Sequence, residues 1–437
     1  MFVKPLTAKL LTIGALTVVL LLPLSQMRSL VAERQGLRQT AVDSIGAGWG
    51  RRQVVGPPIL EVPTETESML GERVIKTPGT VHLLPASASF ESRLVPERRR
   101  LGIYEVPVYV ANLQFSGRFV AEPGLDLLSD VPGRVAQWQR ARLVVPVADV
   151  RGIREVKLAK VDGADLHLQP DAYDAMSAIG AAFDATGLSQ GQPIEFRFDL
   201  TVAGSESFQI MPLARETSAR LASSWPHPNF SAGAFLPVRY ELDSKGFDAR
   251  WQVLELNRGY PQAWPETLVD AERLRASAFG VSLYQPVDTY QRNERAIKYA
   301  LLFIAITLMS IFLWEQVTGM RLHAMQYLLV GLALCVFYLL LLALSEHLAF
   351  GVAYLVAAAA LVGLIGVYLA GVLRSRRLAG VAAFAIAAVY ALLYLLVLSE
   401  QYALLLGAVL VFTVLGTIML VTRRFDWHAI ADGGGGD

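Results

Sequence analysis

From residue 297 to 427 the chain is a succession of long apolar runs rich in Leu, Ala, Val, Phe and Tyr, separated only by short polar knots. A bilayer core of roughly 30 Å needs about 20 mostly apolar residues per helix. The runs near 297–317, 326–344, 348–373, 378–398 and 402–421 each meet that length and predict five spans. Residues 10–24 form a further run behind Lys4 and Lys9, broken late by Pro23. The small residues that a signal-peptide cleavage site needs do not follow it, so it is expected to stay as an anchor. The region 28–38 then reads as a helix leaving the membrane surface, ended by Gly46, Gly48 and Gly50.

Between the two apolar regions the period changes to two. Residues 194–202 (Ile-Glu-Phe-Arg-Phe-Asp-Leu-Thr-Val) alternate throughout, as a strand with one buried face does. Asp162-Gly163 stands between two alternating arms over 156–168, and Ser244-Lys245-Gly246 between 238–242 and 247–253, so two hairpins are expected. Further strands are predicted at 74–84, 103–119 and 143–147, and a helix over 171–183. Prolines 57, 58, 63, 85, 107, 146 and 212 argue for short or edge strands.

The expected fold is a polytopic α-helical membrane protein with six transmembrane helices and an inserted, mainly antiparallel β domain, read as a sandwich. The divisions are an anchor at 1–27, the β domain at 28–296, a five-helix bundle at 297–427 and a flexible tail at 428–437. Basic residues in short connections stay cytoplasmic. Arg321 with His323, then Arg374, Arg376 and Arg377, then Arg423 and Arg424 therefore place both termini inside and the β domain in the periplasm. Arg292, Arg295 and Lys298 oppose that bias, from which long translocated domains are largely exempt.

Charge adds an exclusion. A net charge of +1 over 437 residues offers no concentrated positive surface for nucleic acid. The single cysteine, Cys335, lies in an apolar run, so the β domain holds no disulfide. No Walker A loop, dinucleotide fingerprint or His-Glu-x-x-His helix is present, and no cofactor is expected. Gly187-Leu-Ser-Gln-Gly191 fits the nucleophile-elbow spacing, but a strand rather than a helix follows it, so it reads as a chance match. His82, His167 and His227 lack metal-ligand spacing, and no metal is expected.

The remaining candidates are charges and rigid aromatics. Glu346 with His347, and Glu400, stand at equivalent knots: the run 340–347 echoes 394–401, which is compatible with a duplication. Two such carboxylates at the mouth of a bundle suit cations or protons. The plainer reading makes Ser345 and Ser399 caps of the helices that follow, with each Glu in a first turn. Glu315, Arg321 and His323 form either a pairing or a set of interfacial anchors, the second being preferred. Trp225-Pro-His227-Pro is a stiff loop suited to facing a partner.

Several stretches together resemble the CreD family of bacterial inner-membrane proteins. They are Val55-Gly-Pro57, Leu101-Gly-Ile-Tyr104, Asp149-Val-Arg-Gly-Ile153, Ser224-Trp-Pro-His-Pro228, the run from Met325 through His347, and Thr422-Arg423 with Asp426-Trp427. The resemblance implies an inner-membrane envelope protein tied to a two-component regulon, envelope integrity and stress response. It brings no catalytic residues. The expected function is non-enzymatic: the β domain binds an envelope component or a membrane protein partner. The alternative is a small-solute or ion transporter built on the bundle, and the lipid bilayer is a partner on either reading.

Overall fold

The computed structural model describes residues 5–70, 73–121, 131–231, 233–265, 269–283, 289–318, 322–373, 376–399 and 402–422. It divides into a helical unit, Met1–Arg38 with Val287–Asp437, and a β-rich unit, Gln39–Pro286.

The helical unit starts with α1 (Pro5–Val19) and the first part, to Arg38, of α2 (Leu21–Trp49), the two helices being separated at Leu20. Pro23 has no N–H to return to the preceding turn, which explains a break at this point. α5 (Thr289–Thr318), α6 (Ala324–Ser345), α7 (Phe350–Leu373), α8 (Arg376–Leu398) and α9 (Ala403–Thr422) follow the β-rich unit. Five stretches among the described residues are long and apolar enough to cross a membrane: Leu11–Trp49, Thr289–Glu315, Ala324–Ser345, Phe350–Val372 and Arg377–Leu398. Within α9 the stretch Leu405–Gly416 is apolar but shorter. These helices expose apolar side chains, such as Leu355, Val367, Phe384 and Phe412, where a water-soluble bundle would carry charge. Their interior is aromatic: the Phe337 and Tyr390 rings lie 4.7 Å apart, and the Tyr354 hydroxyl donates to Tyr390 O at 2.6 Å.

The β-rich unit contains three sheets. The largest runs β16 (Arg239–Asp243), β17 (Gly246–Leu254), β14 (Glu216–Ser223), β4 (Ser87–Leu101), β5 (Tyr104–Phe119), β12 (Ile194–Ser205), β8 (Ile153–Val161), β9 (Ala164–Asp165). The second runs β10 (Gln169–Tyr173), β11 (Met176–Phe183), β7 (Ala141–Pro146), β2 (Ile59–Leu70), β3 (Arg73–Leu83), β18 (Ala263–Pro265), with β6 (Arg134–Ala136) also on β2. The third runs β1 (Gln53–Val55), β13 (Ser207–Ile210), β19 (Phe279–Leu283), β15 (Pro228–Asn229). Pairing is antiparallel apart from β1 with β13 and β4 with β14. One core cluster takes Val55, Leu60, Phe90, Phe115, Leu143, Phe198 and Phe208 from all three sheets.

Both expected hairpins are present. Asp162 and Gly163 adopt φ of 48° and 79° in the first, and Asp243 pairs with Gly246 across the second. Three expectations are corrected. Residues 171–183 form strands β10 and β11 around a turn at Asp174 (φ 49°), not a helix. Gly46 and Gly48 lie within α2, and only Gly50 ends it. At φ 136°, Gly50 brings the backbone so close to β12 that a Cβ there would meet Ala203 O at 2.4 Å.

The prolines, third, do not shorten the strands: β4 and β5 run 15 and 16 residues. Pro96 lies past the last β14 partner of β4, at Leu94, and Pro107 past the last β12 partner of β5, at Val108. The N–H each lacks has no ladder partner to lose on that side.

From Gln39 on, α2 belongs to the β-rich unit, and its last residues pack within that unit. The Trp49 indole donates to Tyr109 O at 3.3 Å, and its ring lies between the Arg99 and Arg154 guanidinium groups, 4.2 and 4.8 Å from the centroid. Below it, buried Asp149 accepts from the Arg51 and Arg151 N–H groups and from the Arg151 guanidinium at 2.8 and 3.0 Å. Burial pushes this carboxyl up, but those donors outweigh it and hold the group below the usual carboxylate range. Gln53 bridges Asp149 O and Ala203 O at 3.1 Å each, against Gly152, where a Cβ would lie 2.2 Å from the Gln53 amide. The Asp149-Val-Arg-Gly-Ile153 motif is thus an anchoring knot.

Candidate functional site

Two polar clusters stand in the helical unit. At the first, Glu315 near the end of α5 is 3% exposed. Its carboxylate accepts from Lys9 Nζ of α1, from the Tyr327 hydroxyl of α6 at 2.7 Å and from Leu322 N at 3.0 Å. Lys9 also donates to Leu322 O at 3.1 Å and lies 5.9 Å from the Tyr327 ring centroid. His323 sets up this arrangement from outside. It is the N-cap of α6: its Nδ1 accepts from Met325 N at 3.2 Å, while Gln326 Oε1 takes the His323 N–H at 2.8 Å. That capping box fixes the first turn of α6, which carries Tyr327.

The expectation that Glu315 is an interfacial anchor is corrected: it is a buried, ion-paired carboxylate joining three helices. His323 is exposed and caps a helix, and Arg321 lies outside the described residues. Beside Glu315 is a small apolar cavity of about 60 Å³, lined among others by Thr307, Ser310, Trp314, Ile386 and Val389. The hydroxyls of Thr307 and Ser310 turn back onto the carbonyls of Phe303 and Ile306, which leaves the wall apolar.

At the second cluster, Asn293 of α5, 1% exposed, donates to Ser345 Oγ of α6 at 2.8 Å. Ser345 donates back to Leu342 O at 2.9 Å. Ser345 therefore closes α6 and does not cap α7, which starts at Phe350, so the expected capping role is corrected. Glu346 is the C-cap of α6, where the helix dipole opposes a carboxylate. Arg34 Nε of α2, at 3.5 Å, and the Tyr290 hydroxyl, at 3.3 Å, offset that. His347 is exposed, and Glu400 lies outside the described residues.

In the β-rich unit, Trp225 is buried and its indole donates to His227 O at 3.2 Å. The Arg98 guanidinium lies 5.7 Å from the Trp225 ring centroid. These contacts tie the Trp225 ring to its own turn and leave His227 exposed. Phe230, just beyond, packs against Tyr240 of β16 at 5.4 Å and Trp251 at 5.7 Å, so the turn is contiguous with the edge of the eight-stranded sheet. At that edge β16 has β17 on one side and no other strand among the described residues. Val238, Tyr240 and Leu242, at alternate positions, are 74%, 56% and 51% exposed.

His82, His167 and His227 are not brought together, and no group of three or more potential metal ligands occurs among the described residues. Ser189, at the end of the short α3 (Thr186–Ser189), donates its hydroxyl to Thr186 O at 2.7 Å. A second short helix, α4, spans Ala271–Ala276. The sequence reading missed Lys9, Tyr327, Arg34 and Asn293. Lys9 was visible in the sequence only as a charge flanking the apolar run 10–24, a position that carries no information about a partner.

A family model described as "Inner membrane protein CreD" matches residues 5–428. "Inner membrane protein CreD" of Escherichia coli (strain K12) is 33% identical over 440 residues, covering 99% of this chain and 96% of the relative.

Proposed function

The chain belongs to the CreD family of inner membrane proteins, and from that premise we propose that it is a non-enzymatic envelope-integrity protein whose β domain binds an envelope partner. The observation that carries the reading is the open edge of β16 with its exposed Val238, Tyr240 and Leu242 beside His227. An unpaired edge strand recruits another, and β16 carries the usual charges, Arg239, Glu241 and Asp243, on alternate positions while the apolar Val238, Tyr240 and Leu242 share the other face. An extended segment of a partner protein can add to it through main-chain hydrogen bonds. The same proposal includes a sixth span at α9, a sandwich arrangement of the sheets, cytoplasmic termini and a periplasmic β domain, supported by the basic short connections. It also takes in the stress-response setting that the family resemblance implies.

Photoreactive residues at His227 and at Tyr240 are expected to trap the same discrete adduct in cells, and Leu242→Lys to remove it from both. No adduct with a folded domain, or different adducts insensitive to L242K, would overturn the reading.

A second reading, a small-solute or ion transporter, is favoured by one feature: the buried carboxylate of Glu315 beside a cavity. On that reading, proteoliposomes show solute or proton flux that Glu315→Gln abolishes; absence of flux in the parent protein counts against it. Glu346, the other described carboxylate of this alternative, is engaged by Arg34 and Tyr290.

A further inference from the structure

We propose that the groove between α2 and α5 is a binding site for the phosphate headgroup of an anionic phospholipid. Arg28 and Gln35 of α2 face Arg295 and Lys298 of α5 across an open volume of about 770 Å³. Among the described residues the lining has one carboxylate, Glu294, which accepts from Gln35 at 3.4 Å, against the three cations Arg28, Arg295 and Lys298. The floor is apolar: Val31 and Ile297 are each 2% exposed. A cationic rim over an apolar floor matches a ligand with an anionic head and hydrocarbon attached.

The depth of the groove narrows the ligand class. The apolar run 10–24 ends just before Arg28, and an apolar run begins directly after Lys298. The cations therefore stand where both helices pass from hydrocarbon to water, the level of lipid phosphates. Arg34, between the lining residues Ala32 and Gln35 on α2, pairs with Glu346 instead of lining the groove. On the orientation proposed above, these charges lie on the side that the positive-inside tendency disfavours. A specific anionic ligand gives them a use. The binding site itself does not depend on the partner reading of the β domain.

The test uses the full-length protein in neutral detergent, titrated with phosphatidylglycerol and with phosphatidylcholine. Each basic residue near an anionic lipid surface contributes about fivefold in affinity. Phosphatidylglycerol should therefore bind more tightly than phosphatidylcholine, and R28Q/K298Q should weaken it roughly twentyfold without changing phosphatidylcholine. Arg28 and Lys298 are exposed, so the variant should keep its elution and unfolding midpoint. If the pair fails to fold, K298Q alone should weaken binding about fivefold, while K298R restores it. Equal affinity for the two lipids, or a variant that binds like the parent, would overturn the proposal. Displacement of phosphatidylglycerol by millimolar inorganic phosphate would also overturn it, by assigning the groove to a free anion.

Discussion

Lys9→Met is expected to destabilise the helical unit by about 3 kcal/mol, the usual scale for leaving one member of a buried ion pair without its partner. The asymmetry of the pair makes the test specific. Glu315 is 3% exposed, while Lys9 keeps 26% of its side chain accessible. Among the described residues, an orphaned Glu315 carboxylate would keep the Tyr327 hydroxyl and the Leu322 N–H as its donors, in largely apolar surroundings. An orphaned Lys9 has a flexible stem that can carry its ammonium toward water. Glu315→Gln should therefore cost less than Lys9→Met. The double change K9M/E315L should recover most of the loss, because replacing both charges with apolar groups removes the desolvation cost together with the attraction. Unfolding midpoints of the four proteins in one detergent decide it. A K9M midpoint equal to the parent, or E315Q costing more than K9M, would show that the pair does not hold α1 to α5 and α6.

That pair also marks the limit of what the sequence reveals. Five of the six expected spans match stretches long and apolar enough to cross a membrane, because a bilayer imposes length and apolarity on each segment separately, and the hairpin at Asp162-Gly163 was legible because turn chemistry is local. Residues 171–183 were misread for the converse reason. Their Ala and Met favour a helix in isolation, but the strand pairing of β11 with β7 outweighs that preference. At the sites, what decides each role comes from far along the chain. Glu315 meets Lys9 across 306 residues, and Ser345 meets Asn293 across 52. Period and spacing carry no information about such partners, so a Ser-Glu pair after a long helix looked like the cap of the next one. Lys9 itself was legible only as a charge flanking the apolar run 10–24, which says nothing of its partner. In the Trp-Pro-His-Pro turn, by contrast, stiffness is expected from the sequence alone, since the prolines fix φ locally.

Between about pH 6.5 and pH 4 the β-rich unit is expected to lose roughly 3 kcal/mol of stability through His82 alone. His82 sits on β3 between its cross-strand partners Glu61 of β2 and Trp264 of β18. Its ring stacks on Trp264 at 5.8 Å and meets the Tyr173 ring edge-on at 5.2 Å. Burial in this aromatic slot pushes the imidazole down to about 4. In the unfolded chain a histidine titrates near 6.5. Below that value the unfolded state gains a proton that the folded state refuses, so the stabilisation is complete above about pH 6.5 and falls by about 1.4 kcal/mol per pH unit until the folded imidazole titrates. Glu61, 3.6 Å from Nδ1, is the group that opposes this, and it is itself drawn toward Arg142, 3.9 Å away, which also pairs with Asp171. The other described histidines, at 167, 227, 323 and 347, are exposed. Asp149 and Asp248, held low by their arginines, release their contribution only below the ordinary carboxylate value near 4. The window above it therefore belongs to His82. Denaturant unfolding of the parent and of His82→Phe at pH 7.5, 6, 5 and 4.5 separates the cases, since the phenylalanine keeps the stacking and removes the proton site. A parent whose stability stays level across the window would mean that Glu61 captures the imidazolium as an ion pair, and that the aromatic slot tolerates the charge.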